Sequence, residues 1–174
     1  MNGTLKILAS AFIIIGSGYL GLIIASRYTV RVRQIEQFRL AIEQMGFSIG
    51  FLKMPLSEAL LGVSKSRKGA VGRILQAASE EVSMEGVSPS AAFERSVLRN
   101  RDALCMDEEE LSILSEFAAS LGKGGVDSEL SNINAACARL KIAQSAAESL
   151  GEQQGRMWRG LGFLFGIFVV IILF

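Results

Sequence analysis

ILASAFIIIGSGYLGLIIAS, positions 7–26, sets how the rest of the chain is read. It holds no charged residue over 20 positions, the length an α-helix needs to cross the roughly 30 Å hydrocarbon core of a bilayer. A cleaved signal peptide would have a shorter apolar core and a small-x-small cleavage site. Here the core is long, and Arg27, Arg31 and Arg33 follow it at once. An uncleaved anchor is the expectation. A second apolar stretch, GLGFLFGIFVVIILF, occupies positions 160–174. It is somewhat short for a full span, and local thinning of the bilayer or a partner helix would absorb the mismatch; deep interfacial insertion is the competing reading.

Basic residues mark the inner edges of both stretches. Arg27, Arg31, Arg33 and Arg39 follow the first, and Arg156, Trp158 and Arg159 precede the second. The outer ends offer only Lys6 and the amino terminus. Cytoplasmic flanks are enriched in Lys and Arg, so the segment between should be cytoplasmic and both termini should lie across the membrane. The expected organisation is a short tail over 1–6, a transmembrane helix over 7–26, a cytoplasmic helical domain over 27–159 and a second transmembrane helix over 160–174.

Gly16-Ser-Gly18-Tyr-Leu-Gly21 spells GxGxxG, but no strand precedes it, so it is no dinucleotide fingerprint. Glycines there serve better to let another helix approach. Gly21 with Ala25, and Gly162 with Gly166, are the candidate helix-packing pairs.

Composition narrows the chemistry. The chain has 174 residues, 50% of them hydrophobic, a net charge of +1 and no histidine. Absence of histidine removes the commonest general base and the usual zinc ligand. Cys105 and Cys137 sit far apart among apolar neighbours and read as small core residues. The even charge balance hides an asymmetry: residues 27–73 carry nine Lys and Arg against three Glu, and residues 74–159 carry eight against fourteen Asp and Glu. Solvated helix faces explain this. The sharper reading places the basic half near lipid headgroups and makes the acidic residues Glu80, Glu81, Glu85, Glu108 and Glu109 a candidate partner surface.

Between the apolar ends the periodicity is helical throughout, with no strand pattern. Ile35, Phe38, Ile42, Met45, Ile49 and Leu52 form one stripe, closed by Pro55. Further helices are predicted over 56–65 and 71–84, with Gly69 and Gly72 breaking the chain between them. Ser88-Pro89 is a cap followed by a proline at the first helical position. Asp107-Glu-Glu-Glu110 suits the positive end of a helix dipole at capping-box spacing, which explains the carboxylates without a metal. Gly122-Lys-Gly-Gly125 stops a helix, and the last helix begins near Asp127, with Leu130, Ile133, Cys137, Leu140, Ala147 and Leu150 as its seam. The fold class is all-α: two transmembrane helices flanking a cytoplasmic bundle of about six helices, the first and last of which pair antiparallel.

Several features follow one another along nearly the full length of the chain. Lys6 opens a glycine-containing span ending in Arg27-Tyr28, and Arg31, Gln34 and Ile35 begin the long helix. Met54-Pro-Leu-Ser-Glu-Ala-Leu60 holds a Pro-Leu-x-Glu-Ala-Leu element, and 107–114 an acidic cap and helix. Leu121-Gly122 ends that helix, and Arg156-Met-Trp-Arg-Gly-Leu-Gly162 leads into the last apolar stretch. In this ordered set the chain resembles the stage III sporulation protein AB family. Ser48 stands in place of a glutamate, Phe93 of a tryptophan and Leu130 of a glutamine, and Lys123-Gly124-Gly125 loosens a turn that is normally more compact.

The resemblance implies a role in the channel complex between mother cell and forespore, in the mother-cell membrane that surrounds the forespore. It implies a helical domain similar to the cytoplasmic domain of type II secretion platform proteins. It also implies a link between a secretion-type ATPase and other membrane proteins of the channel. The expected partners are therefore that ATPase, the sister channel proteins and the bilayer, with a homo-oligomer possible and no nucleic acid. No catalytic, cofactor-binding or metal residue is expected, since no acid–base group lies inside an apolar stretch. The alternative is a secretion or pilus-like membrane adaptor not tied to sporulation.

Overall fold

The computed structural model describes residues 3–84 and 86–173; within its end helices the side chains of 3–11, 14, 17, 20, 159, 162, 163, 166, 172 and 173 are outside that description. The described chain is helical, with no strand: α1 (Gly3–Gly50), α2 (Leu56–Lys65), α3 (Gly69–Val82), α4 (Pro89–Arg99), a single 3₁₀ turn (Arg101–Ala103), α5 (Glu108–Ser120) and α6 (Val126–Leu173). It falls into two compact units, residues 33–145, and residues 1–32 with 146–174.

Residues 33–145 form the bundle. Its core takes the predicted stripe of α1 and one face of each other helix: Phe38, Ile42 and Met45 of α1, Leu60 of α2, Ile74 and Leu75 of α3, Phe93 of α4, Leu114 of α5 and Leu140 of α6 are all fully buried. Phe93 and Phe117 meet edge to face, centroids 5.7 Å apart at 87°, a geometry worth about 0.5–1.5 kcal/mol beyond area burial. The cost of ordering this many short helices is offset mainly by apolar burial at about 25 cal/mol per Å².

Local signals fix the helix ends. Ser88 Oγ accepts the Ala91 N–H at 3.3 Å, with Pro89 in the first turn. The Asp107 N–H donates to Glu110 Oε2 at 2.6 Å, closing the capping box. Glu110 is only 1% exposed; its carboxylate is tolerated there because the cap satisfies it. α5 ends at Ser120, and two residues on the chain turns at Gly122, whose φ of +73° is costly for a side-chain-bearing residue.

Three sequence expectations are corrected. Leu52 does not extend the α1 stripe: α1 ends at Gly50, before Pro55, and Leu52 stands 52% exposed in the turn. The turn passes through Lys53 at φ +54°, which swings the chain off the helical path. Gly72 is not part of a break. It lies inside α3, where a Cβ would come within 2.5 Å of the Arg67 carbonyl oxygen. Leu150, expected on the inner seam of α6, is 40% exposed.

In the bundle, α1 and α6 pair antiparallel through glycine. A Cβ on Gly46 would lie 2.8 Å from Ile133 Cγ2, and one on Gly50 would lie 3.0 Å from Leu130 Cδ2. The missing side chains are the sockets for these two residues of α6. In the other unit the roles reverse: the glycines are on α6. Gly151 faces Tyr28 at 3.4 Å and Gly155 faces Ala25 at 4.0 Å, while the Tyr28 hydroxyl donates to Gln154 Oε1.

Many apolar side chains of that second unit are exposed, including Phe12 at 81%, Ile15 at 70% and Ile171 at 70%. Among the described residues no helix is long and apolar enough to cross a membrane. Both expected spans, 7–26 and 160–174, contain residues outside the described set.

Candidate partner-docking surface

The five acidic residues singled out by sequence do not share one environment. Glu81, near the end of α3, has a side chain only 14% exposed and is clasped by two arginines of α4, Arg99 Nη1 at 2.7 Å and Arg95 Nη2 at 3.1 Å. Its charge is balanced within the fold. Glu80, one position earlier, is exposed and accepts from Gln76 Nε2 at 3.0 Å. Glu108 and Glu109 are exposed in the first turn of α5, and Glu108 is paired with Arg101 of the 3₁₀ turn. Glu85 lies outside the described residues.

Beside Glu108 the structure opens a groove that no sequence pattern signalled. It lies between α4 and α5, has a volume of about 250 Å³, and is walled by Val97, Leu98, Leu111 and Leu114 with Glu94, Arg101 and Glu108 at its rim. Leu98 is 60% exposed because it lies off the inward stripe of α4, and α5 does not reach over it. A leucine one step outside an apolar stripe is a weak signal, since single exposed apolar residues are ordinary. What distinguishes Leu98 is its neighbour across the groove, which only the fold supplies.

The linker carrying this rim is held from below. Gln34 of α1 is buried, its Nε2 donating to the Ala103 carbonyl at 3.0 Å and its Oε1 accepting the Cys105 N–H at 2.7 Å. Sequence reading took Gln34 only as part of a resemblance; the structure makes it the clamp that places Arg101 opposite Glu108. Farther along α5, Glu116 pairs with Arg139 of α6. The guanidinium hydrogen bond holds the Glu116 carboxyl below the usual carboxylate range and raises Arg139 in turn.

The cysteines lie in different places. Cys137 Sγ is 3.7 Å from the Arg39 carbonyl oxygen, and burial, with the nearby Glu43 charge, pushes its thiol up. Both cysteines are free and partly exposed. Among the described residues no group of histidine, cysteine and carboxylate side chains could hold a metal.

Of the expected packing and anchoring residues, Gly21 is buried and Ala25 faces Gly155. Arg27, Arg33 and Arg156 are exposed, while Arg31 and Trp158 are partly buried. The surroundings of Arg159, Gly162 and Gly166 lie outside the described residues. The small-xxx-small contact that is visible uses Gly151 and Gly155, a GxxxG that reading the sequence passed over because polar residues fill its interior.

The profile of the stage III sporulation protein AB family matches residues 6–174. The chain belongs to that family. It is 28% identical over 169 residues to stage III sporulation protein AB of Bacillus subtilis (strain 168), covering 97% of this chain and 99% of that one. A solved structure of stage III sporulation protein AB superposes with a TM-score of 0.66 at 26% identity, covering 71% of this chain and 97% of the solved one. The family's all-α fold and its sporulation setting are thus shared by this chain. Its relatives carry the name of a sporulation protein, not of an enzyme.

Proposed function

We propose that this protein is a non-catalytic membrane platform of the mother cell–forespore channel, coupling a cytoplasmic ATPase to membrane parts of the channel during endospore formation. The observation that carries the reading is the pairing of two kinds of surface on one chain. One unit leaves Phe12, Ile15, Phe165, Phe168 and Ile171 exposed, an apolar load that water does not favour and lipid does. The other is a close-packed bundle whose polar surface is laced with ion pairs. Membership of a sporulation family supports the setting; the uncharged stretch 7–26 and the arginines that follow it support anchoring with the bundle in the cytoplasm.

In this reading residues 7–26 and 160–174 are the membrane roots, residues 27–159 are the cytoplasmic domain, and both termini lie across the membrane. The mother-cell membrane around the forespore is its location. A bundle joined to lipid by two helices passes a push or a rotation to embedded neighbours without chemistry of its own. The groove beside Glu108 and Glu109 is the ATPase contact, with lysines or arginines of the partner meeting the carboxylates and an apolar side chain entering between Leu98 and Leu111. Glu81 contributes to the fold around this contact and not to the contact itself.

The test is capture of the ATPase of the same complex by the full chain from membranes of sporulating cells. Glu108→Lys with Glu109→Lys should abolish capture and leave the chain in the membrane fraction. Undiminished capture sinks the assignment of this groove. Release of the wild-type chain by alkaline carbonate sinks the membrane platform.

A further inference from the structure

We infer that Glu94 is the carboxylate inside the α4–α5 groove that selects the occupant: a helix of the partner carrying a lysine or arginine one turn from an apolar side chain. With the groove read as the ATPase contact, this names the chemistry of the segment that fills it. Glu108 and Glu109 then frame the mouth, and Glu94 holds the cation.

The acidic residues around the groove differ in what they leave open. Glu108 lines it but is engaged by Arg101, so that pair presents no net charge. Glu109 is exposed but is not part of the wall. Glu94 lines the groove and is exposed, and among the described residues no cation engages it. The nearest arginines of its own helix, Arg95 and Arg99, are both turned to Glu81 of α3. One uncompensated negative charge therefore faces the slot, and it selects a cation against a phosphate or an acidic segment.

Spacing turns this charge into a pattern. Glu94 and Leu98 stand four positions apart on α4, on one face and about 6 Å apart along the axis. Leu98 is 60% exposed, with Leu111 on the opposite wall. Arg101, neutralised by Glu108, follows beyond Leu98. The groove thus runs from free carboxylate to leucine to neutral ion pair, so its occupant has one orientation.

Size and walls decide the kind of occupant. A volume of about 250 Å³ lies below the ~300–1,000 Å³ of small-molecule sites, and it suits a pair of side chains. Both walls are helices, whose backbone groups are already bonded within them, so an extended strand finds no edge to pair with. A helix laid in the groove makes its contacts through side chains alone.

The test uses the full chain in membranes of sporulating cells, with benzoylphenylalanine in place of Ser112, which is exposed on the α5 wall. Irradiation should give an adduct with the ATPase. Its cross-linked peptide, read by mass spectrometry, should hold Lys or Arg three or four positions from an apolar residue. Glu94→Lys should lower the adduct yield several-fold and Glu94→Gln by less. Glu80→Lys, the same charge change outside the groove, should leave it unaltered. An ATPase adduct that persists with Glu94→Lys overturns the role of Glu94 while the ATPase contact stands. An equal loss with Glu80→Lys overturns it too, as does a cross-linked peptide without the basic–apolar pair. An adduct with a different protein that carries the pair and is lost with Glu94→Lys sinks the ATPase reading and leaves the slot standing. No adduct at all overturns both.

Discussion

Gln34 Oε1 accepts the backbone N–H of Cys105 at 2.7 Å, across 71 positions of sequence. With its Nε2 on the Ala103 carbonyl at 3.0 Å, one buried amide satisfies the acceptor that closes the 3₁₀ turn and a donor two residues beyond it, where no helix continues. A buried backbone group left without a partner costs the full desolvation penalty, so the side chain substitutes for secondary structure. This bond sets the position of Arg101 and thus the mouth of the α4–α5 groove.

Gln34→Ala should destabilise the bundle by about 1–3 kcal/mol, read as a lower urea midpoint. Gln34→Glu keeps the acceptor but sets a buried carboxylate oxygen against the Ala103 carbonyl, so it should cost at least as much. A midpoint equal to the unaltered chain for Gln34→Ala would show that water replaces the amide without cost.

Gly46 is the socket for Ile133. Gly46→Val should cost about 1–3 kcal/mol by overpacking, and Ile133→Ala in the same chain should return part of it by vacating the socket. The two substitutions must therefore be non-additive in a double-mutant cycle; simple additivity would mean the two residues are not in contact.

Glu81→Lys should destabilise the fold on the order of 1–3 kcal/mol, because it replaces a charge-assisted acceptor of two arginines by a like charge. Glu80→Lys, one residue away and exposed, should leave the thermal midpoint nearly unchanged. Equal effects at the two positions would refute the clasp of Arg95 and Arg99 on Glu81.

The Glu116 carboxyl is held low by Arg139, so the sign of its contribution is settled. It stabilises the fold at pH values above the ordinary range for an unfolded glutamate, and that stabilisation is lost as the pH falls through the lowered folded value. Glu116 is exposed, so the effect is small and screened by salt. Glu116→Gln should flatten the acid limb of stability against pH at low ionic strength while leaving neutral stability little changed. An unaltered acid limb would remove the pair from the account of acid sensitivity.

Burial and Glu43 raise the Cys137 thiol, which leaves little thiolate at neutral pH. Alkylation of Cys137 by iodoacetamide, followed by mass spectrometry, should be slow at neutral pH in the folded chain and fast after unfolding. Equal rates in the two states would contradict the packing of Sγ against the Arg39 carbonyl.

Most of the bundle was legible along the chain. The stripe from Ile35 to Ile49, the Ser88-Pro89 start and the Asp107–Glu110 box are local patterns, and each appears in the fold where periodicity and capping place it. Leu52 was misread because a stripe continues on paper past the point where the approaching Pro55 ends the helix. Among the acidic residues, Glu80, Glu108 and Glu109 are exposed, and nothing near Glu81 in sequence announces that Arg95 and Arg99 will reach it from the next helix. The same holds for Leu98, whose exposure becomes a groove only when α5 lies alongside.

By itself the sequence determined the helices, their caps, the two uncharged ends and the family, because each depends on residues within a few turns of one another. Tertiary structure alone decided that Gly46 and Gly50 would be sockets for Ile133 and Leu130, that Gln34 would hold a linker 71 positions away, and that Glu81 would be spent inside the fold. These depend on which faces meet. A helix records its own inward face in its periodicity, but it carries no record of the neighbour that will cover it.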